Sequence, residues 1–465
     1  MLFFQFFKQK RSSAVTENRA FYLYSFIGKN TCHTSLNLVI FKSNQRFFMK
    51  NLLPLFLFFF IVGCQKEAET PSVISPVETC PSHKLPVVYI DTNDIPIDSK
   101  KDYIEGTIEI IGAGNLEGLA EQNMKIKGRG NSTWWLGETW GKKPYQIKFS
   151  DKTALLGMPE DKKWIMLAEL SDKSFIRNKI ARDLSRMSDL EYTPALEYVE
   201  VVLNDQPQGV YLIGQKVEES DNRVAIGDDG YLIEIDNFER IDEDDVFFTS
   251  EAFTNVFHKS VFNIKEPSLE YDSDKYLAIE NHIKAFETVL FSAEFDDPNT
   301  GYETYIDVDS FIDWFLVNEI GKTQDAKFYS SIYFSYIPNG KIKMGPIWDF
   351  DLSFGNVDYD DPQFVEGFWV KENPWIKRLF EHSDFEQRAR DKFTAQYYDK
   401  RSEILGKIDC HASYIDTAQI ANYEIWKTLG VQVWPNPVWF DTYQEEVDHL
   451  KNWISDRMDW LNANL

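Results

Sequence analysis

The chain has 465 residues, 43% apolar and 15% aromatic, with 49 Lys and Arg against 74 Asp and Glu, a formal charge of −25 at pH 7. So acidic a surface excludes the phosphate backbone of nucleic acid as a partner, and no basic patch with interleaved aromatics offsets it. It favours solubility and the binding of cations or basic substrates.

Residues 1–48 are basic, aromatic and without periodicity, and a better start follows at Met49. They read as an upstream start-site artefact, the alternative being a genuine cytoplasmic extension. Met49-Lys50-Asn51, an apolar run from Leu52 to Val62 and the small Gly63 then make a secretory signal, too short to span a bilayer. Ile61-Val62-Gly63-Cys64 resembles a bacterial lipobox, in which Cys64 is diacylated and becomes the new N-terminus; the alternative is a plain signal with an incidental cysteine. Gln65 stands where Asp is associated with inner-membrane retention, and Gln65-Lys66-Glu67-Ala68-Glu69 resembles the export signal of surface lipoproteins in Bacteroidetes. The expectation is an outer-membrane lipoprotein of the cell envelope, held by its acyl chains, with the side it faces left open. Without residues 1–63 the chain carries 41 basic and 73 acidic residues, a formal charge of −32.

Residues 64–84, with Pro71, Pro76 and Pro81 among Ser, Glu and Thr, read as a flexible tether. The two cysteines beyond Cys64, Cys80 and Cys410, would be able to pair in an oxidising compartment, although their spacing does not dictate it. No C-x-x-C or H-E-x-x-H is present, which argues against zinc.

From residue 85 the pattern predicts an α+β domain. Short apolar runs, Pro86–Ile90, Tyr103–Ile110 and Tyr145–Phe149, alternate with Asp, Asn and Gly and read as strands. Residues 172–188 have helical spacing, with Asp172 as the expected cap. Strands follow at Leu196–Leu203 and Gly209–Gln215 around the turn Asn204–Gln208, then amphipathic helices at 274–292 and 308–321. Tyr329–Ile337 and Lys341–Met344 read as a hairpin through Pro338-Asn339-Gly340, and 375–465 as helical. Strands with one helix first and helices later is the order of a two-lobed, protein-kinase-like fold. The lobes would be about 85–225 and 226–465.

The hairpin delivers the chain into Gly345-Pro346-Ile347-Trp348-Asp349-Phe350-Asp351-Leu352. Two carboxylates two apart in an apolar segment cost several kcal/mol to bury unless something pairs with them, and a divalent metal is the natural partner. Asp-Phe-Asp is close to the Asp-Phe-Gly of protein kinases, whose Asp holds the Mg²⁺ of ATP. Asp325 ends a helix-to-strand loop 24 residues earlier, where kinases place the catalytic-loop Asp, although His-Arg-Asp is absent. As an isolated residue it would be an ordinary turn residue.

Upstream, closely spaced glycines in Lys127-Gly128-Arg129-Gly130-Asn131-Ser132 suit approach to phosphate, with Arg129 and Ser132 as donors; a tight turn is the competing reading. A strand-borne lysine among Lys142-Lys143-Pro144-Tyr145-Gln146-Ile147-Lys148 can reach phosphates one hairpin further on; the competing reading is a solvated charge run. Arg177 and Asn178, near a helix start, suit phosphate or carboxylate as well as they suit a cap.

These segments, with Leu155-Leu156-Gly157-Met158, Ser171-Asp172-Lys173 and Glu191-Tyr192-Thr193-Pro194, occur in an order that resembles the CotH family of spore-coat, kinase-like proteins over residues 85–465. The resemblance implies a kinase-like fold and transfer of phosphate from ATP to Ser or Thr of secreted or surface proteins, with Mg²⁺ or Mn²⁺. It implies Asp349 as metal ligand, Asp351 as a second ligand or brace, Asp325 as catalytic base, and either Lys143 or Lys148 as phosphate-binding lysine. Kinase-like folds also host AMP transfer and glutamylation. CotH-like adhesins give a further alternative, an inactive surface binding protein using Trp134, Trp135 and Trp140 or Phe368, Trp369 and Trp375, residues that otherwise pack in a core.

Overall fold

Seven strands of the first half close into a barrel: β1 (Val87–Asp91), β2 (Ile104–Ile111), β3 (Leu119–Gly128), β4 (Tyr145–Leu155), β5 (Met158–Leu167), β6 (Leu196–Leu203) and β7 (Gln206–Gln215). Their order is β1-β2-β3-β4-β5-β7-β6, and β6 pairs back onto β1 in parallel, with Val88 opposite Val201. The computed structural model describes residues 80–81, 83–249 and 260–465. The expected signal, Cys64 and most of the tether lie outside these residues.

Alternation along each strand fills the barrel. Ile126, Ile147, Phe149, Trp164, Met166 and Ile213 point inward and are buried, which leaves their neighbours Lys127 and Gln146 on the outer face. Closure removes both sheet edges, and the open N-terminal sheet of a kinase is therefore not what these strands form.

A second, five-stranded sheet has the order β12-β11-β8-β10-β9. Its strands are β8 (Tyr231–Asn237), β9 (Phe247–Phe248), β10 (Ser260–Glu266), β11 (Ile332–Tyr336) and β12 (Lys343–Met344), and the expected hairpin forms its β11–β12 edge. The helices are α1 (Ser132–Trp140), α2 (Arg177–Arg186), α3 (Asp274–Leu290), α4 (Val308–Gly321), α5 (Pro374–Leu379), α6 (Ser383–Lys392), α7 (Arg401–Trp426) and α8 (Tyr443–Asn464). Caps explain several starts. The Ser273 side chain accepts the amide of Tyr276 before α3, Asp307 that of Ser310 before α4, and Thr442 and Glu445 form a capping box at α8. None of the described helices is long and apolar enough to cross a membrane.

Two boundaries differ from expectation. The helix predicted from 172 begins at Arg177, because the Asp172 carboxylate accepts from the Ser174 amide at 3.0 Å and the Arg177 amide at 2.8 Å, holding a loop instead. The turn after β6 is only Asn204-Asp205, both with positive φ, so β7 already begins at Gln206. The C-terminal helices are also interrupted by an irregular stretch, 427–442. Cys80 and Cys410 are joined as a disulfide with Cα atoms 5.2 Å apart, fastening the start of the described chain to α7.

Candidate active site

A cleft of about 440 Å³ is walled on one side by the outer face of β3 and β4 with the Gly128–Thr133 loop, and on the other by β8, Asp325 and the Asp349–Leu352 segment. The loop is glycine-rich for two reasons. A Cβ on Gly128 would lie 2.2 Å from the Trp134 ring, and Gly130 has φ +79°. Gly128 therefore serves packing, while Gly130 makes the turn. Lys100 pins the turn, donating to the Gly130 carbonyl and the Asn131 side chain, both at 3.0 Å. The free N–H groups opening α1 follow directly and suit an anion.

The same wall carries two cations. Arg129 stands over the Trp348 ring at 5.8 Å, where burial lowers its pKa and Asp349 opposes the shift. Lys127 is directly opposite Gln146 in the β3–β4 register, and both line the cleft. Burial lowers the pKa of Lys127, whose ammonium lies 4.9 Å from the centre of the Tyr103 ring. Lys143 and Lys148 are not in the lining of the cleft: Lys143 lies over Trp134 at 4.6 Å and Lys148 near Tyr103 at 5.9 Å. Lys127 is the lysine that sequence reasoning missed. Its signal is position, two residues before Arg129 at the end of β3 and beside the glycine turn.

Arg177 and Asn178 part ways. The Arg177 guanidinium is buried against Asp172 at 2.6 Å and donates to the Ser353 carbonyl at 3.2 Å, so it braces the loop and is spent as a phosphate ligand. Asn178 reaches the cleft. Its Nδ2 donates to Glu169 at 3.0 Å, while its Oδ1 accepts from Arg182 at 3.1 Å and from the Phe350 amide at 3.2 Å. Asn178 thus holds the backbone between the two aspartates. Gln324 N to Leu352 O at 3.0 Å and Phe354 N to Gly321 O at 2.7 Å tie the same segment to the end of α4.

The three predicted aspartates share this cleft. Asp349 has φ +64°, a conformation unusual for a non-glycine residue, and accepts from Ser331 Oγ at 3.4 Å. Asp325 accepts from Ser330 Oγ at 2.8 Å and lies 3.8 Å from the Arg240 guanidinium. Asp351 is buried, and burial, then Asp349, Glu169 and Asp325, push its pKa well above the usual carboxylate range. Glu169, also in the lining, is raised to about 8, mainly by burial and next by Asp172.

Like charges crowded in this way favour a cation among them. No three acidic, His or Cys side chains among the described residues converge closely enough to enclose a metal by themselves. Mg²⁺ and Mn²⁺ suit hard carboxylate oxygens, and Mg²⁺ ordinarily takes one or two of them and completes its shell with water and phosphate. Asp349 and Asp351 fit that partial role.

Residues 126–461 match the sequence profile of a family described as CotH kinase protein. No curated protein matches the chain.

Proposed function

Because the chain belongs to the CotH kinase protein family, we propose that it transfers the γ-phosphoryl group of ATP to Ser or Thr of secreted or surface proteins, anchored in the cell envelope through Cys64. The observation that carries this reading is the opposition of a cationic, glycine-turned wall (Lys127, Arg129) to a carboxylate wall (Asp325, Asp349, Asp351) in one cleft. In this reading the barrel serves as the nucleotide-covering lobe, and the second sheet with its helices as the catalytic lobe.

Phosphoryl transfer asks mainly for positioning and charge neutralisation. Lys127, Arg129 and the first turn of α1 receive the phosphate oxygens. Asp325, oriented by Ser330 and Arg240, takes the proton of the acceptor hydroxyl as its oxygen bonds to γ-phosphorus and the bond from γ-phosphorus to the β-bridging oxygen breaks. Asp349 and Asp351 would hold a divalent cation, which would neutralise phosphate charge. Asn178 keeps those two aspartates in register through Phe350. The Cys80–Cys410 disulfide supports an oxidising, extracytoplasmic setting.

The test is calorimetric binding of ATP with and without Mg²⁺ or Mn²⁺, followed by intact-mass analysis of a candidate acceptor. Cation-dependent binding lost in Asp349→Ala, with a phosphate increment on the acceptor, is the expected result. An adenylate or glutamate increment would replace the reaction, and no nucleotide binding by folded protein would remove it.

A further inference from the structure

Two loops beside the cleft, 358–367 and 428–442, show large apolar side chains to water. Phe364 is 53% exposed and Trp439 42% exposed, and Trp434 lies edge-on to the exposed Trp135 of α1 at 6.1 Å. Tyr359 stacks on Trp434 at 6.1 Å with an interplanar angle of 11°. Of the aromatics singled out in the sequence, Trp134, Trp369 and Trp375 are core, whereas in this step of rings Trp135 and Trp434 are exposed and Tyr359 is half-buried.

Fully buried cations hold these loops in shape. Lys322 donates to the carbonyls of Asp361, Phe364 and Glu366 at 3.1, 3.0 and 2.6 Å, and Arg457 to those of Val365 and Gly367 at 2.6 and 2.8 Å. Lys173 holds the Val431 carbonyl at 2.6 Å, and the buried Asn436 amide bridges to Ser171 and Asn356. Burying such charge is costly, and here it fixes loops whose outward side chains are apolar. A rigid apolar surface of that kind is the usual form of a recognition site, because little entropy is lost on binding.

The charge of the segments that form it favours a cationic partner. Residues 132–140, 353–370 and 428–442 carry Glu138, Asp358, Asp360, Asp361, Glu366 and Asp441 and no Lys or Arg. The patch runs into the catalytic side of the cleft, since the Gln324 side chain donates to Asp360 at 3.0 Å and Gln324 adjoins Asp325.

We propose that Trp135, Trp434, Tyr359 and Phe364 form a docking surface for a cationic polypeptide segment bearing apolar or aromatic side chains. Its identification with the phosphate acceptor rests on the function proposed above; the surface itself does not. Aromatic rings take the apolar side chains and, by cation–π contact, Lys or Arg, while the flanking carboxylates favour the same cations. Anionic lipid is disfavoured by the same charge.

The test is fluorescence anisotropy of the full chain, without nucleotide, against a labelled peptide of Lys, Ser and Phe and its twin with Glu for Lys. Anionic phosphatidylglycerol vesicles and sedimentation of the protein alone complete the set. The expected result is selective binding of the cationic peptide, weakened by salt and about tenfold by either Trp434→Ala or Phe364→Ser, with unchanged melting temperatures. Four results would overturn the proposal: no binding of the cationic peptide, unaltered affinity in both variants, preference for vesicles, or self-association that Trp434→Ala abolishes. Because nucleotide is absent, a failure here leaves the phosphotransfer reading standing, and the converse also holds.

Discussion

The side-chain oxygen of Asn178 accepts the amide hydrogen of Phe350 at 3.2 Å, joining α2 to the backbone between Asp349 and Asp351. The same oxygen receives Arg182, and the Asn178 amide is committed to Glu169. Asn178→Ala leaves Phe350 N–H, Arg182 and Glu169 short of a partner and frees an aspartate held at φ +64°. The expected outcome is a fall in kcat of about 10- to 100-fold with a smaller change in the KM for the acceptor, since misplacement by about 1 Å is that costly. Steady-state kinetics with thermal melts as a control checks it.

Asp349 and Asp325 should fail differently. Asp349→Ala removes the proposed cation ligand and should abolish metal-dependent nucleotide binding. Asp325→Asn keeps the hydrogen-bond geometry around Ser330 but takes no proton, so nucleotide should bind normally while kcat falls by about 10²–10⁴. Calorimetry paired with turnover separates them, and equal loss of binding in both would refute the assignment of roles.

Glu169 carries a pH signature. Its folded pKa lies near 8 against 4.5 for the free side chain, so the folded protein binds the extra proton between those values. Its contribution to stability is therefore complete below about 4.5 and is lost as pH rises through about 8. Glu169→Gln removes the titration while retaining an oxygen for Asn178. The variant's melting temperature should fall less than that of the wild type between pH 5 and 8 by scanning calorimetry.

Lys127 supplies a fourth test. Lys127→Met keeps the stem over Tyr103 but removes the charge facing the cleft, so ATP affinity should drop by about tenfold while Lys148→Met changes little. A larger loss with Lys148→Met than with Lys127→Met would refute the assignment to Lys127.

Much of this was legible in the chain because the signals are local. β6 and α3 follow period-2 or period-3.6 apolar spacing, and the Asp349-Phe350-Asp351 segment combines charge with apolar flanks, whereas α4, expected to be amphipathic, is buried on every face from Phe311 to Gly321. What escaped is non-local. Parallel pairing of β1 with β6 closes the barrel across more than a hundred residues, and neither strand records it. Arg177 looked like a ligand until the fold placed Asp172 2.6 Å away. Lys127 sits upstream of a denser run of lysines, and only the pairing of β3 with β4 puts it on the cleft face, opposite Gln146.

A buried ion pair joins the helices of the C-terminal half. Arg457 of α8 and Glu319 of α4 are fully buried and paired at 2.6 Å, and Glu319 also accepts the amides of Trp369 and Lys371. The pair links α8, α4 and the segment leading to α5. Arg457→Met leaves a carboxylate in a dry interior and takes two donors from the Val365 and Gly367 carbonyls, so unfolding free energy should fall by about 3–5 kcal/mol. Replacing Glu319 as well, by Gln, removes the stranded charge, and the double variant should be more stable than Arg457→Met alone. Urea unfolding of the wild type, both singles and the double variant measures the coupling. If the double variant were the least stable of the four by the sum of the single effects, the two side chains would be acting independently, and the pair would not be what joins these helices.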